Sequence, residues 1–219
     1  MKSNALKYMF LLMVSMFTLA SCSESGEEDG EEFADWQARN EQAFADTLTK
    51  AQQEGEAKGW HIYPCWSMEN QTPNVDANGN KYTPSFDATK DNIVVKVLGD
   101  GEGSEVHLNY TDSVEVSYKG YLIPSKTYAS GYIFDSTFTG TYNKDKALTQ
   151  RMLISNLVDG FTTALLKMNH IGDDWLVTMP YSLGYGTTQS SSSTIPAYSM
   201  LTFEIVLRGY YKDDKWVRE

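Results

Sequence analysis

Three histidines, two cysteines and scattered carboxylates are the residues of this 219-residue chain that could bind a metal or act as nucleophiles. His61, His107 and His170 have no ligand-type neighbours at the short intervals that zinc sites use. Asp76, Asn78, Asn80 and Asp87 resemble a calcium loop in composition. Gly79, however, falls at the fourth position rather than the sixth, and Asp87 stands where the twelfth-position glutamate belongs. Turn chemistry accounts for the same residues. Cys65 lies within Trp60-His61…Cys65-Trp66, an aromatic setting that reads as packed rather than reactive. Gly99, Gly101 and Gly103 do not open a helix, which excludes a phosphate loop, and there is no G-x-S-x-G nucleophile elbow. What remains is aromatic: Tyr118, Phe134 and Phe203 occur at strand spacing and, taken alone, read as core. Asp135, between Phe134 and Ser136, reads either as a turn residue or as the polar rim of a pocket.

The elements that must position these residues are mostly strands. Val114, Val116 and Tyr118 alternate with Glu115, Ser117 and Lys119, the period of a half-buried strand over 114–121. Ile93 to Leu98, Tyr132 to Phe134, Gln150 to Ile154, Asp174 to Met179 and Met200 to Tyr210 supply further strands. Leu157, Phe161, Leu165 and Met168 recur every three or four residues, which predicts one short helix over 157–168. One helix among at least five strands implies an α+β domain, an antiparallel sheet wrapped around that helix. Ser190 to Ser193 fall in a polar loop between the last two strands.

Upstream, Phe33 to Gln53 carries Phe33, Trp36, Asn40, Phe44, Leu48 and Ala51 at helical spacing, with Gly55 just beyond. This N-terminal helix is expected to dock on the body of the protein, the alternative being a homodimer through residues 33–53. Trp60 to Tyr63 reads as a strand, and Asn78-Gly79 as a tight turn before Lys81 to Thr83.

The first residues have the layout of an export signal: Lys2 and Lys7, then an apolar run from Tyr8 to Leu19. That run is short of the roughly 20 residues a membrane span needs. It ends in Leu19-Ala20-Ser21-Cys22, which resembles the lipobox of bacterial lipoproteins. The resemblance implies cleavage before Cys22, acylation of its thiol (palmitate among the acyl chains) and a stable membrane anchor in the cell envelope. The outer membrane is the expected site, on its periplasmic or its surface-exposed side. Glu24, Glu27, Glu28, Asp29, Glu31 and Glu32 then form a segment with no large apolar residue, an acidic tether. The formal net charge of -11 and pI near 4.7 argue against nucleic acid and anionic lipid headgroups as partners.

Six motifs over residues 91–211 occur in the order of the FKBP family of peptidyl-prolyl cis-trans isomerases. Val95-Lys96-Val97-Leu98 with Gly101-Glu102-Gly103 resembles the first strand and its turn, and Val114 to Gly120 resembles V-x-V-x-Y-x-G. Phe134-Asp135-Ser136 resembles F-D-S, and Leu157-Val158-Asp159-Gly160-Phe161 the V-I-x-G-W helix entry. Met179-Pro180 with Leu183-Gly184-Tyr185-Gly186 is similar to I-P…L-A-Y-G. Ile195-Pro196-Ala197 with Leu201 to Ile205 is similar to I-P-P…L-x-F-x-V. Each motif is weak alone; together, in order, they are specific. The chain departs from the pattern in three places: Phe161 replaces Trp, Ala197 replaces a second proline, and the 122–132 segment is longer, suggesting a flap near the pocket.

The resemblance divides the chain into a signal peptide (1–21), the tether (22–32), the helix (33–55), a β/loop extension (56–90) and an FKBP-like domain (91–212). It implies that Tyr118, Phe134, Asp135, Val158, Phe161, Tyr185, Ile195 and Phe203 surround one apolar pocket, with Leu148 adding to its wall. The Val158 N–H and Tyr185 hydroxyl would hold a bound carbonyl. Rotation about an Xaa-Pro amide moves no proton and breaks no bond, so the chemistry needs neither metal nor cofactor. The implied partners are proline-containing polypeptides. Two readings stay open: an active isomerase assisting exported proteins, or an FKBP-like module that binds peptides without turning them over.

Overall fold

Helix α1 (Trp36–Glu54) begins three residues later than the apolar spacing predicts, because Asp35 takes a left-handed φ of 53° at its N-terminus. Aspartate is one of the few side chains that tolerate that conformation. The stripe formed by Trp36, Asn40, Phe44, Leu48 and Ala51 is buried, and Gly55 closes the helix at φ 68° with its N–H on the Ala51 carbonyl. Asn40 is tolerated inside because its amide is fully used. Its Nδ2 donates to the Trp36 carbonyl (2.7 Å) and its Oδ1 accepts the Met200 N–H (2.8 Å). The structure is a computed structural model that describes residues 32–70, 74–75, 78–83, 85–189 and 194–218. The signal sequence, Cys22, most of the acidic tether, Asp76 and the 190–193 loop lie outside these residues. Two compact units are recognised, Met1–Ala34 and Asp35–Glu219; all elements below belong to the second.

Strands β1 (Trp60–Pro64), β4 (Asn92–Gly99), β5 (Ser113–Tyr121), β6 (Ile133–Ser136), β8 (Asp174–Met179) and β9 (Leu201–Lys212) form an antiparallel sheet in the order β1-β4-β8-β9-β5-β6. β7 (Gln150–Leu153) pairs with β5, and β10 (Lys215–Arg218) with β9. A separate hairpin, β2 (Asn74–Val75) with β3 (Lys81–Tyr82), closes over the Asn78-Gly79 turn, where Gly79 has φ 82°. Helix α2 (Trp66–Glu69) follows β1, and helix α3 (Asp159–Lys167) packs against β4 and β8. The molecule is therefore mixed α+β, an antiparallel sheet with a short helix packed on it, and an N-terminal helix precedes the sheet.

Side chains alternate across a strand, so the two helices occupy opposite faces. Met179 and Phe203 face α3: Phe161 of α3 stacks edge-on to Phe203, and Gly160 abuts Met179. Tyr121 and Thr202, on the other face, border a groove with Ala38, Gln42 and Thr47 of α1. Cover on both sides explains why Ile93, Val94 and Val95 are all buried. The apolar stripe of α1 is used within its own chain.

The half-buried reading of β5 needs correction, since Glu115 and Ser117 are buried as well as their apolar neighbours. The reason is a polar cover. Glu115 accepts from Thr149 Oγ1 (2.8 Å), Arg151 Nε (3.2 Å) and Arg218 Nη2 (2.8 Å), while Ser117 Oγ donates to the Leu148 carbonyl (2.8 Å). β10 itself escaped the sequence pattern. Its hairpin turns on Asp213 and Asp214, both at positive φ, without the glycine that marks such turns.

Candidate functional site

The site is assembled where the N-terminus of α3 meets the ends of β5, β6 and β9. Val158 is the residue before α3, in extended conformation (φ -62°, ψ 147°), and its carbonyl accepts the Phe161 and Thr162 amides at 3.0 Å. Its own N–H has no acceptor among the described residues. Gly160 lets the helix close onto β8, because a Cβ there would lie 2.5 Å from Met179 Sδ. That approach seats Phe161, 4% exposed, against the sheet.

Four rings then pack edge to face. Phe161 lies 5.1 Å from Phe203 and 6.1 Å from Tyr118, and Phe134 lies 5.4 Å from Phe203, with interplanar angles of 78°, 87° and 86°. The aromatic quadrupole favours this geometry. Gly120 makes room for it: a Cβ at that position would come within 2.6 Å of both Phe134 Cζ and Phe203 Cε1. Phe134 is only partly buried, so the cluster opens to solvent on the β6 side.

Asp135 lies on β6, paired with Gly120, and is exposed, so it is not part of a turn. Its Oδ2 accepts the Tyr118 hydroxyl at 2.5 Å, a short charge-assisted bond. Burial, then the Asp135 bond and charge, push the Tyr118 phenol well above its ordinary range. Burial and the Asp135 charge raise Tyr185 too, which places that ring in the same field. Tyr185 is 55% exposed, and its hydroxyl has no partner among the described residues. It is presented by a short 3-10 turn at Tyr181–Leu183, pinned by Gly186 N–H to the Tyr181 carbonyl (2.9 Å) and Tyr198 N–H to the Gly186 carbonyl (3.0 Å). Ile195 is buried at the head of the segment leading into β9.

One expectation is not met. Leu148 is 72% exposed and borders a separate open depression with Phe138 and Tyr142. Its backbone fixes this, with the N–H on the Thr137 carbonyl and the carbonyl under Ser117 Oγ. The long 122–132 segment is anchored at its start, where Leu122 and Ile123 are buried and Arg39 Nη2 of α1 donates to the Pro124 carbonyl (2.7 Å), while residues 126–130 are exposed.

Sequence reasoning also missed a brace on α3. Trp66 N–H donates to Thr163 Oγ1 (2.9 Å), Ser67 N–H and Oγ both donate to the Asp159 carboxylate, and Glu69 pairs with Lys167 (3.1 Å). The 56–70 segment thus grips the helix whose first amide borders the site. No local pattern announces contacts between residues more than 90 positions apart. Cys65, next to this brace, is fully buried, and burial pushes its thiol up, away from the reactive thiolate form.

Residues 104–208 match the family model of FKBP-type peptidyl-prolyl cis-trans isomerases. The β5–α3–β9 core and its ring cluster fall within this match, so the α+β fold is FKBP-like. Over 128 residues (58% of this chain, 54% of the relative) the sequence is 29% identical to the FKBP-type 22 kDa peptidyl-prolyl cis-trans isomerase of Escherichia coli (strain K12). Over 96 residues (44% and 42%) it is 35% identical to the macrophage infectivity potentiator of Trypanosoma cruzi. The chain spans about half the length of these two relatives. A crystal structure of a Pseudomonas syringae pv. tomato peptidyl-prolyl cis-trans isomerase has 19% identity and a TM-score of 0.49, covering 80% of this chain and 96% of that one.

Proposed function

We propose that this protein is a peptidyl-prolyl cis-trans isomerase acting on proline-containing polypeptides. The observation that carries the reading is a ring cluster, open to solvent at Phe134, with two unused donors beside it, the Val158 N–H and the Tyr185 hydroxyl. Amide resonance opposes rotation about Xaa-Pro with a barrier of roughly 18–20 kcal/mol. A proline ring held by Phe134, Phe161 and Phe203 leaves water behind. The twisted amide, with less charge separation than the planar form, gains relative to it. Val158 N–H and Tyr185 O–H orient the carbonyls that flank the bond, and Ile195 completes the apolar wall. A thousandfold acceleration requires about 4 kcal/mol of preferential transition-state binding.

The test is cis/trans relaxation of short Xaa-Pro peptides by the detergent-solubilised protein, with Tyr185→Phe alongside. Loss of one hydroxyl contact, about 1 kcal/mol, lowers kcat/KM roughly fivefold and leaves stability nearly unchanged. Full activity in the variant removes Tyr185 from the site. No acceleration by folded wild type turns the cleft into a peptide-binding surface without turnover.

The isomerase is further proposed to be tethered to the bacterial envelope by lipid on Cys22, where exported chains would be its clients. The signal-like run ending at Cys22 supports this. Cys22→Ala should shift the protein from the membrane fraction to the soluble one, and continued membrane retention would refute the anchor.

A further inference from the structure

We propose that Asp135 makes the cleft selective for cationic clients, polypeptides with Lys or Arg within two residues of the proline. This rests on the isomerase reading of the site above. Asp135 stands exposed beside the ring cluster, one carboxylate oxygen held by Tyr118 and no cation paired with it among the described residues. Lys119, the nearest lysine along β5, is engaged elsewhere: it pairs with Glu204 (3.0 Å), donates to the Gly140 carbonyl (2.9 Å) and lies over the Phe138 ring (4.6 Å).

The surroundings suit a long basic side chain as well as its charge. Tyr185, whose phenol feels the Asp135 charge, is 55% exposed beside it. Such apolar surface takes the methylene stem of Lys or Arg while the head reaches a carboxylate. The charge of Asp135 already raises the phenols of Tyr118 and Tyr185, so its field covers the mouth. An acidic residue in the client would meet Asp135 and the protein's net charge of -11 with no compensating cation.

The experiment compares kcat/KM of the full-length protein in detergent for three otherwise identical Xaa-Pro peptides bearing Lys, Leu or Glu. Each residue is placed first before and then after the proline. A solvent-exposed pair supports a preference for Lys over Glu of about three- to fivefold at low salt. That preference falls toward unity at 1 M salt, where the Debye length is about 3 Å. It should also collapse in Asp135→Asn, which keeps an acceptor for Tyr118 but no charge. Equal rates for Lys and Glu, or a preference that survives Asp135→Asn and so belongs to the overall charge, overturn the proposal. If the Leu peptide is not isomerised by wild type, the isomerase reading has failed instead. Equilibrium binding of the same labelled peptides to wild type and Asp135→Asn then decides the charge selectivity.

Discussion

Gly120→Ala should damage the site through its rings and not through its backbone. Gly120 is not among the positive-φ glycines, so alanine can adopt its conformation. The added methyl would, however, lie 2.6 Å from Phe134 Cζ and 2.6 Å from Phe203 Cε1. Carbon atoms in good contact sit about 3.5–4.0 Å apart, so the two rings together must give way by about 1 Å. Overpacking of that size costs about 1–3 kcal/mol of stability. A displacement of about 1 Å in a site can cost up to a hundredfold in rate, so kcat/KM is expected to fall ten- to a hundredfold. Urea unfolding followed by tryptophan fluorescence reports the first quantity, and Xaa-Pro relaxation the second. Phe134→Leu in the same background makes the reasoning sharper, because the shorter side chain relieves the crowding. The two substitutions must then be less than additive in stability. A folded Gly120→Ala protein with full activity, or strict additivity with Phe134→Leu, would refute the argument.

The other expectations concern charge and the brace on α3. Asp174 Oδ1 is buried without a hydrogen-bond partner, and burial followed by the Glu204 charge pushes the carboxyl up from 3.8 to about 6. The folded state therefore holds this proton more tightly than the unfolded one. Stability is lost as pH rises from about 4 to about 6, by about 3 kcal/mol before screening and roughly half that with water reaching the group. Asp174→Asn should exceed wild type by about 1.5 kcal/mol in urea unfolding at pH 7.5 and match it at pH 4; a gap independent of pH contradicts the assignment. Ser67→Ala removes a hydroxyl donor from Asp159, and amide hydrogen exchange in the first turn of α3 should speed up about fivefold, for a loss near 1 kcal/mol. Unchanged exchange at Phe161 and Thr162 would mean that the brace does not hold the helix.

What could be read from the sequence was whatever is written locally. The bounds of β5 and β8 and the 3.6-residue period of α3 are properties of short windows, and the structure reproduces them within a residue or two. The ring cluster was legible only through motif order, since nothing local says that Phe161 and Phe203 meet. Gly120 was visible as a letter in a motif, but its reason lies in two rings from other strands. Leu148 went astray because an alignment through a loop carries no hydrogen-bonding information, and its backbone bonds to Thr137 and Ser117 turn it outward. The burial of Glu115 was hidden for a related reason: its cover comes from Arg151 and from Arg218, 36 and 103 residues away.

The docking of α1 has a bearing on the order in which the chain folds. Trp36 Nε1 donates to Ser199 Oγ across 163 residues, and Asn40 accepts the Met200 amide across 160. A chain made from its N-terminus thus produces this helix early and its anchor late. An isolated 19-residue helix of ordinary composition is marginal in water, and contacts this distant in sequence close slowly. The first helix described is then among the last to settle, with Trp36, Phe44 and Leu48 lacking their final cover until β9 has been made and paired. A nascent chain halted before Ser199 has neither anchor, and its amphipathic N-terminal segment stays available to chaperones that read such stripes.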